Sequence, residues 1–217
     1  MRELTIDVVS DVVCPWCLIG VTRLDQALEA MPDVRATVRF HPFLLDPSTP
    51  DEGVDLRARL EAKYGVPASS MFARVEAAAR ESGIPLDFAK VTRSVATTRA
   101  HTLLRHAADE GAQRRLARAL FDAYFLEGLD IGDVEVLTRL AEPHGFDPDE
   151  ARRLMTDEGE LARTRAEAMA MAQQGIRGVP FFIFDERLAL SGAQPVEVMR
   201  EAIGRALAEA EPPSALT

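Results

Sequence analysis

Cysteine is scarce in this sequence of 217 residues: the chain has only two, and both lie in one Cys14-Pro15-Trp16-Cys17 motif. A structural zinc site usually takes about four cysteine or histidine ligands. Only four histidines accompany the two cysteines, and they are scattered along the chain. We therefore expect no metal site, no tightly bound cofactor and no relay through a second cysteine pair.

Long apolar runs and dense basic blocks are absent from the sequence as well. No stretch of about 18 apolar residues is present to span a membrane, and no apolar leader precedes the first predicted strand. The formal net charge of −10 argues against a nucleic acid as the main partner. We expect a cytoplasmic protein without membrane or nucleic-acid partners, either a monomer or a homodimer.

Hydrophobic patterning at the start of the chain predicts a β-α-β unit. Apolar residues alternate over residues 3–9 and again over 35–40, as they do in half-buried strands. Between these segments, over residues 18–31, apolar residues recur at steps of three and four, as on one face of a helix. A right-handed crossover through this helix makes the two strands parallel.

The end of the chain predicts a matching unit. After a helix over residues 158–173, we expect two short strands at 181–184 and 187–191 and a closing helix at 196–207. A tail over residues 211–217, which contains two prolines, is expected to fray. We expect the two ends of the chain to share one α/β unit.

The middle of the chain predicts helices only. No strand is expected between residues 54 and 158, so the chain divides into an α/β domain, residues 1–50 and 158–217, and an all-helical insertion, residues 51–157. Helical periodicity marks six segments of the insertion: 54–64, 69–82, 94–110, 112–127, 133–142 and 148–156.

The Cys14-Pro15-Trp16-Cys17 motif falls where the first strand meets the first helix. The first backbone N–H groups of a helix and its dipole stabilise negative charge, so a thiolate is favoured at Cys14. Cys17 lies three residues later and is more shielded, and it can close a disulfide with Cys14 and reopen it. A lone pair of this kind in a reducing compartment is more often catalytic than structural.

The residues around the thiols are expected to shape the site. Pro15 and Trp16 set the local backbone and polarity, and Trp16 is expected on the rim as apolar contact surface for a substrate. Asp11 either caps the helix or a turn, which is the favoured interpretation, or assists proton transfer to Cys17. Val179-Pro180 precedes an apolar strand, and two interpretations are open: an ordinary strand start, or a cis bond that faces the thiols and exposes the backbone of Val179.

Taken together, these motifs resemble the DsbA-like thioredoxin superfamily and, within it, the FrnE-like branch of cytosolic disulfide oxidoreductases. The resemblance covers essentially the whole chain and is carried by the Cys-Pro-Trp-Cys motif, the helical insertion, and the segments Gly178–Phe182 and Leu190–Pro195. It implies a thioredoxin fold with a large all-helical insertion, Cys14 as nucleophile, Cys17 as resolving thiol and Pro180 as a cis-proline. It also implies a thiol-disulfide oxidoreductase or isomerase, with protein or small-molecule thiols and disulfides as partners.

The same branch is similar to kappa-class glutathione transferases and 2-hydroxychromene-2-carboxylate isomerases, which leaves a second function open. In those enzymes a serine stands at the position of Cys14, and the counterpart of Ser191, Gly192 and Gln194 holds the glutamyl end of glutathione as a co-substrate. Here Gln194 replaces a usually acidic residue, and Ala96 replaces a frequent asparagine. The alternative is therefore a glutathione-dependent isomerase or transferase acting on an aromatic small molecule.

Overall fold

The first three elements form the β-α-β unit that the patterning predicts. The structure, a computed structural model, describes residues 1–210, and the tail over 211–217 lies outside them. Strand Arg2–Ser10 (β1) leads through a tight turn into helix Pro15–Glu29 (α1), and strand Val34–Pro42 (β2) returns beside β1. The two strands are parallel along their whole length, as expected for a crossover connection.

Helix α1 is amphipathic and packs its apolar face into the protein core. Leu18, Ile19 and Leu24 are almost completely buried. Pro15 stands at the first helical position, where its missing N–H removes no intrahelical hydrogen bond. This packing fixes the N-terminus of α1, and with it both cysteines, against the rest of the fold.

The first part of the insertion comprises strand Val54–Asp55 (β3), helices Leu56–Tyr64 (α2) and Ala68–Glu81 (α3), strand Arg93–Ser94 (β4) and helix Thr98–Arg105 (α4). The expectation that the insertion contains no strand is wrong here, because β3 and β4 pair as an antiparallel ladder. A ladder of two residues on each strand is too short for side-chain alternation to reveal it.

A second correction concerns the helix expected over residues 94–110, which is shorter in the structure because α4 ends at Arg105. Asp109 lies in extended backbone and accepts a hydrogen bond from the N–H of Ala112 at 2.7 Å. An N-cap of this kind starts a new helix and so ends the continuous pattern. The helices that follow are Glu110–Phe125 (α5), Val134–Ala141 (α6) and Pro148–Thr156 (α7).

The closing elements are helix Glu158–Gln173 (α8), strands Phe181–Phe184 (β5) and Leu188–Ser191 (β6), and helix Val196–Ala210 (α9). Strand β5 runs antiparallel to β1 and to β6, which gives a sheet of four strands in the order β2-β1-β5-β6. This is a thioredoxin fold with a helical insertion, as predicted from the sequence. The domain boundaries proposed from the sequence stay a prediction. Across the described chain, no helix has the length and apolar character needed to cross a membrane.

Candidate active site

The turn between β1 and α1 presents Cys14 at the N-terminus of a helix. The N–H of Cys14 donates to the carbonyl of Asp11 at 2.9 Å, and the N–H of Cys17 donates to the carbonyl of Cys14 at 3.0 Å. Cys14 is the N-cap residue of α1, and its backbone is extended. Cys14 therefore lies at the helix N-terminus, where its place in the sequence predicted it.

The two thiols differ in their surroundings. Cys14 is 4% exposed and Cys17 is fully buried, so the expectation that Cys14 is the more accessible thiol agrees with the structure although both are shielded. Both are free cysteines. Burial raises the pKa of the Cys17 thiol well above its usual value, and hydrogen bonding to Cys14 raises it further. Cys17 is therefore a protonated thiol at neutral pH, and only Cys14 faces open space.

The loop before β5 forms the opposite side of the Cys14 environment. The Val179–Pro180 peptide bond is cis, as the resemblance implies. The Cys14 thiol donates to the carbonyl oxygen of Val179, with the sulfur and oxygen 3.7 Å apart. Helix α1 can approach this loop closely because residue 20 is a glycine: a Cβ on Gly20 would lie 2.8 Å from Cγ of Pro180.

The turn after β6 supports this loop. The N–H of Gly192 donates to the carbonyl of Pro180 at 2.8 Å. The amide of Gln194 donates to the carbonyl of Ser191, also at 2.8 Å, so this side chain folds back on its own turn. Ser191, Gly192 and Gln194 are absent from the residues that line the cavity beside Cys14. Their proposed role in holding a thiol ligand stays a prediction.

A cavity of about 510 Å³ opens beside Cys14, between the N-terminus of α1, the Val179 loop and the insertion. Helices α2 and α3 supply much of its wall. Trp16 lines the cavity in a half-buried position, with the guanidinium of Arg74 5.7 Å from its ring centroid. Most lining side chains are apolar or aromatic; they include Val13, Leu60, Phe72, Val75, Phe88 and Phe125.

A buried polar pair lies beneath the cysteines. Asp11 accepts a hydrogen bond from the N–H of Leu45 at 2.8 Å, and its other carboxylate oxygen lies 3.3 Å from Nε2 of His101. Both side chains are 2% exposed. The backbone carbonyl of Asp11 closes the turn, but its carboxylate does not cap the turn or the helix as expected; it binds Leu45 and His101 of α4 instead. The pairing of Asp11 with His101, far apart in sequence, could not be inferred from residue spacing.

The wall that α2 contributes was missed by the sequence interpretation. Leu56, Arg59, Leu60 and Lys63 recur at steps of three and four, and all four line the cavity. The spacing placed these residues on one helical face, but on its own it did not distinguish a face packed in the core from one lining a cavity. The face combines two leucines with two cations, and this mixture was the feature of the sequence that could have indicated a cavity wall.

The structure thus brings together a dithiol at a helix N-terminus and a cis-proline loop that faces it, both on one four-stranded sheet. A family model described as the DSBA-like thioredoxin domain matches residues 5–204. The chain therefore belongs to the DsbA-like thioredoxin family, in agreement with the resemblance found in the sequence.

Comparison with individual proteins agrees with this membership. The chain is similar to the crystal structure of the probable DsbA oxidoreductase SCO1869 from Streptomyces coelicolor, with 31% identity, a TM-score of 0.85, and coverage of 96% of this chain and 92% of that one. It is 29% identical over 199 residues to the uncharacterized protein YwbO of Bacillus subtilis, covering 91% and 94% of the two chains. The cytosolic disulfide reductase DsbM from Pseudomonas aeruginosa, with GSH, shares the fold at 21% identity and a TM-score of 0.65, over 94% and 99% of the two chains.

Proposed function

We propose that the protein is a thiol-disulfide oxidoreductase or isomerase in which Cys14 is the nucleophile and Cys17 the resolving thiol. The observation that supports this assignment is the asymmetry of the pair: Cys14 lines the cavity, whereas Cys17 is fully buried behind it. Family membership supports an oxidoreductase of the DsbA type in general. The individual roles are argued from the geometry.

The first step is attack by the Cys14 thiolate on one sulfur of a bound disulfide. The helix N-terminus stabilises the negative charge on Cys14 before attack. A mixed disulfide forms between Cys14 and one half of the substrate, and the other half leaves as a thiolate. The Val179 carbonyl, 3.7 Å from the Cys14 sulfur, marks where substrate backbone can align beside it.

The second step resolves the mixed disulfide. The Cys17 thiol loses its proton and attacks the Cys14 sulfur, which forms the Cys14–Cys17 disulfide and releases the second substrate thiolate. Two electrons pass from the protein to the substrate. Because burial keeps Cys17 protonated until this point, Cys17 does not compete with Cys14 for the incoming disulfide. Run in reverse, the same steps oxidise a substrate dithiol.

Trapping tests this assignment. Reduced Cys17→Ala protein, treated with glutathione disulfide and quenched in acid, should accumulate one glutathione adduct, which peptide mass spectrometry places on Cys14. Wild-type protein should instead collect as the internal disulfide, and Cys14→Ser should form no adduct while folded. An adduct on Cys17 in the native protein, or none in Cys17→Ala, would contradict the assignment.

The aromatic lining of the cavity favours one alternative, a glutathione-dependent isomerase or transferase acting on an aromatic small molecule. Glutathione then serves as a co-substrate, and no resolving thiol is needed. Activity of that kind requires glutathione and survives Cys17→Ala, whereas disulfide reduction with two electrons does not. The paired thiols make the oxidoreductase the preferred function.

We also propose a cytoplasmic location and partners that are thiols or disulfides. A chain whose two cysteines both lie in one Cys-x-x-Cys motif, with none left for a structural disulfide, suits a reducing compartment. A fractionation experiment with antibody against the native protein, paired with alkylation of its thiols in intact cells, tests this proposal. Reduced Cys14 and Cys17 in the cytosolic fraction support it, and an oxidised pair in an extracytoplasmic fraction overturns it.

A further inference from the structure

We propose that the cavity selects small-molecule disulfides that carry carboxylate groups on an apolar or aromatic body. The proposal rests on the proposed chemistry of Cys14 and adds what the site accepts. Three features of the cavity carry it: the enclosure of Cys14, the apolar wall, and a set of cations at the mouth that have no acidic partner.

Enclosure limits the size of the substrate. Cys14 is only 4% exposed, and its sulfur is reached through a cavity of about 510 Å³. Cavities of this size hold drug-sized molecules. A disulfide on a folded protein brings a larger body to a cavity that helices α2 and α3 line on one side. The geometry therefore favours small disulfides over folded protein substrates.

The apolar and aromatic wall of the cavity favours a substrate with an apolar or aromatic body. Phe72 and Phe88 stack with ring centroids 4.2 Å apart, and Phe125 meets Phe88 edge to face. All three line the cavity. Trp16 adds an indole next to the attacking thiol. Aromatic faces of this kind bind apolar and aromatic groups that leave water, so a purely polar aliphatic disulfide gains little here.

The charges at the cavity oppose the charge of the whole protein. The chain carries a formal net charge of −10, yet four cationic side chains line the cavity. Arg59 is paired with Asp46. Lys63, Arg74 and Arg177 are exposed and make no salt bridge with any described residue. Three uncompensated cations around an apolar cavity attract an anionic ligand.

The acidic groups that line the cavity do not neutralise its three unpaired cations. Asp46 accepts a hydrogen bond from the hydroxyl of Ser48 and pairs with Arg59, and these contacts lower its pKa to about 2. The carboxylate of Asp11 is held inside by the N–H of Leu45 and by His101. Among the described lining residues these are the two acids, so the free charge that a ligand meets is positive.

For a single turnover, the two thiols of the protein supply both electrons that reduce the substrate disulfide. The Cys14 thiolate attacks the disulfide and releases one thiolate, and Cys17 then displaces the second while giving up its proton. One disulfide is reduced to two thiols, and the dithiol is oxidised to one disulfide. No other reductant enters, and a dithiol such as dithiothreitol restores the reduced protein for the next turnover.

The test compares two activated aromatic disulfides, 5,5′-dithiobis(2-nitrobenzoate), which is a dianion, and the uncharged 4,4′-dithiodipyridine. Rate constants with reduced protein are measured by stopped flow and divided by those of free N-acetylcysteine amide, a thiol without a carboxylate, which removes the intrinsic reactivity of each disulfide. The ratio should favour the dianion, and the preference should fall as ionic strength rises. Insulin serves as the protein disulfide, and its rate constant, divided by that of the same free thiol, should be lower than the ratios for both small disulfides.

Variants identify the source of the preference. Arg74→Gln combined with Arg177→Gln should lower the normalised rate with the dianion roughly threefold to tenfold and leave the rate with 4,4′-dithiodipyridine nearly unchanged. Arg74→Lys keeps the charge and should retain most of the preference. Arg200→Gln is the matched control, because Arg200 is an exposed residue of α9 outside the cavity lining.

A binding measurement separates this proposal from the proposed function. Titration calorimetry of Cys14→Ser with biphenyl-4,4′-dicarboxylate and 4,4′-bipyridine requires no thiol chemistry, and the dianion should bind more tightly. Equal binding of both compounds, or rates unaffected by the double variant, would overturn the selection of anions while leaving the role of Cys14 intact. Selective binding without any reaction at Cys14 would instead overturn the oxidoreductase function.

Discussion

Helices α1 and α2 both line the cavity, but they are held in place very differently. Helix α1 has eight buried residues, whereas α2 has none. Helix α2 depends on its Asp55 N-cap, on partly buried leucines, and on the ion pair between Arg59 and Asp46. The reacting thiols therefore lie on a firmly packed element, and the wall that selects ligands lies on a weakly attached one. Low local stability is typical of elements that must admit a ligand.

Truncation of one apolar side chain in each helix should give the largest difference in unfolding free energy between α1 and α2. Ile19→Ala in α1 removes a fully buried side chain and should cost about 2–5 kcal/mol of unfolding free energy. Leu60→Ala in α2 removes a half-buried side chain and should cost about 1 kcal/mol or less. Denaturant unfolding followed by circular dichroism measures both. Equal losses would remove the distinction between the helices.

The close packing of α1 against the Pro180 loop gives the next largest effect. Gly20→Ala places a Cβ 2.8 Å from Cγ of Pro180 and 3.2 Å from the Phe182 ring, and should cost about 1–3 kcal/mol. It should also slow mixed-disulfide formation at Cys14, because the loop that faces the thiol must shift. Gly204→Ala in α9 is the control: a Cβ there meets nothing within 4 Å, so stability should stay the same or rise by about 1 kcal/mol. A neutral Gly20→Ala would show that the contact is not tight.

N-cap removal should have a local effect in α2 and a global effect in α5. Asp55 and Asp109 each accept an N–H hydrogen bond at the start of their helix, and replacing either by alanine should cost about 1 kcal/mol. Hydrogen exchange should show faster exchange confined to α2 in Asp55→Ala. For Asp109→Ala the midpoint of global unfolding should fall, since α5 is a core helix. A global loss in both variants would mean that α2 is part of the cooperative core.

The smallest effect concerns pH and the ion pair that holds α2. Hydrogen bonding from Ser48, followed by the Arg59 guanidinium, lowers the pKa of Asp46 from 3.8 to about 2. The folded value lies below the unfolded one, so this stabilisation is complete above about pH 5 and is lost as the pH falls through 2. The exchange protection of α2 in wild type should therefore exceed that in Asp46→Asn at pH 7, and the difference should shrink on acidification. A difference that does not change with pH would assign the effect to packing.

The sequence predicted the position of the cysteine pair and the general fold because both depend on local signals. Alternation and three-to-four periodicity follow from which face of an element is buried, so the strands and α1 could be located within a few residues. The Cys-Pro-Trp-Cys motif by itself indicates thiol-disulfide chemistry, because its two thiols are close enough in sequence to form a disulfide. The Val179–Pro180 bond needed the family resemblance, since periodicity alone does not reveal a cis peptide.

The remaining parts of the site depend on contacts that are distant in sequence. His101 lies 90 residues from its partner Asp11, and helices α2 and α3 reach the cavity only after the insertion has folded back. The β3–β4 ladder and the early end of α4 were missed for a different reason, because a two-residue strand and an N-cap leave too few residues for a pattern to register.

Differential alkylation tests the central claim most directly, namely that Cys14 reacts from the cavity while Cys17 waits, buried and protonated. Reduced native protein is pulsed with iodoacetamide at pH 7, quenched, unfolded and labelled with a heavy form of the reagent, and the two cysteines are then quantified by peptide mass spectrometry. Cys14 should be modified roughly a hundredfold faster than Cys17, because only the Cys14 thiol lines the cavity, whereas burial raises the pKa of the Cys17 thiol. Similar rates for the two thiols, or faster modification of Cys17, would contradict the account.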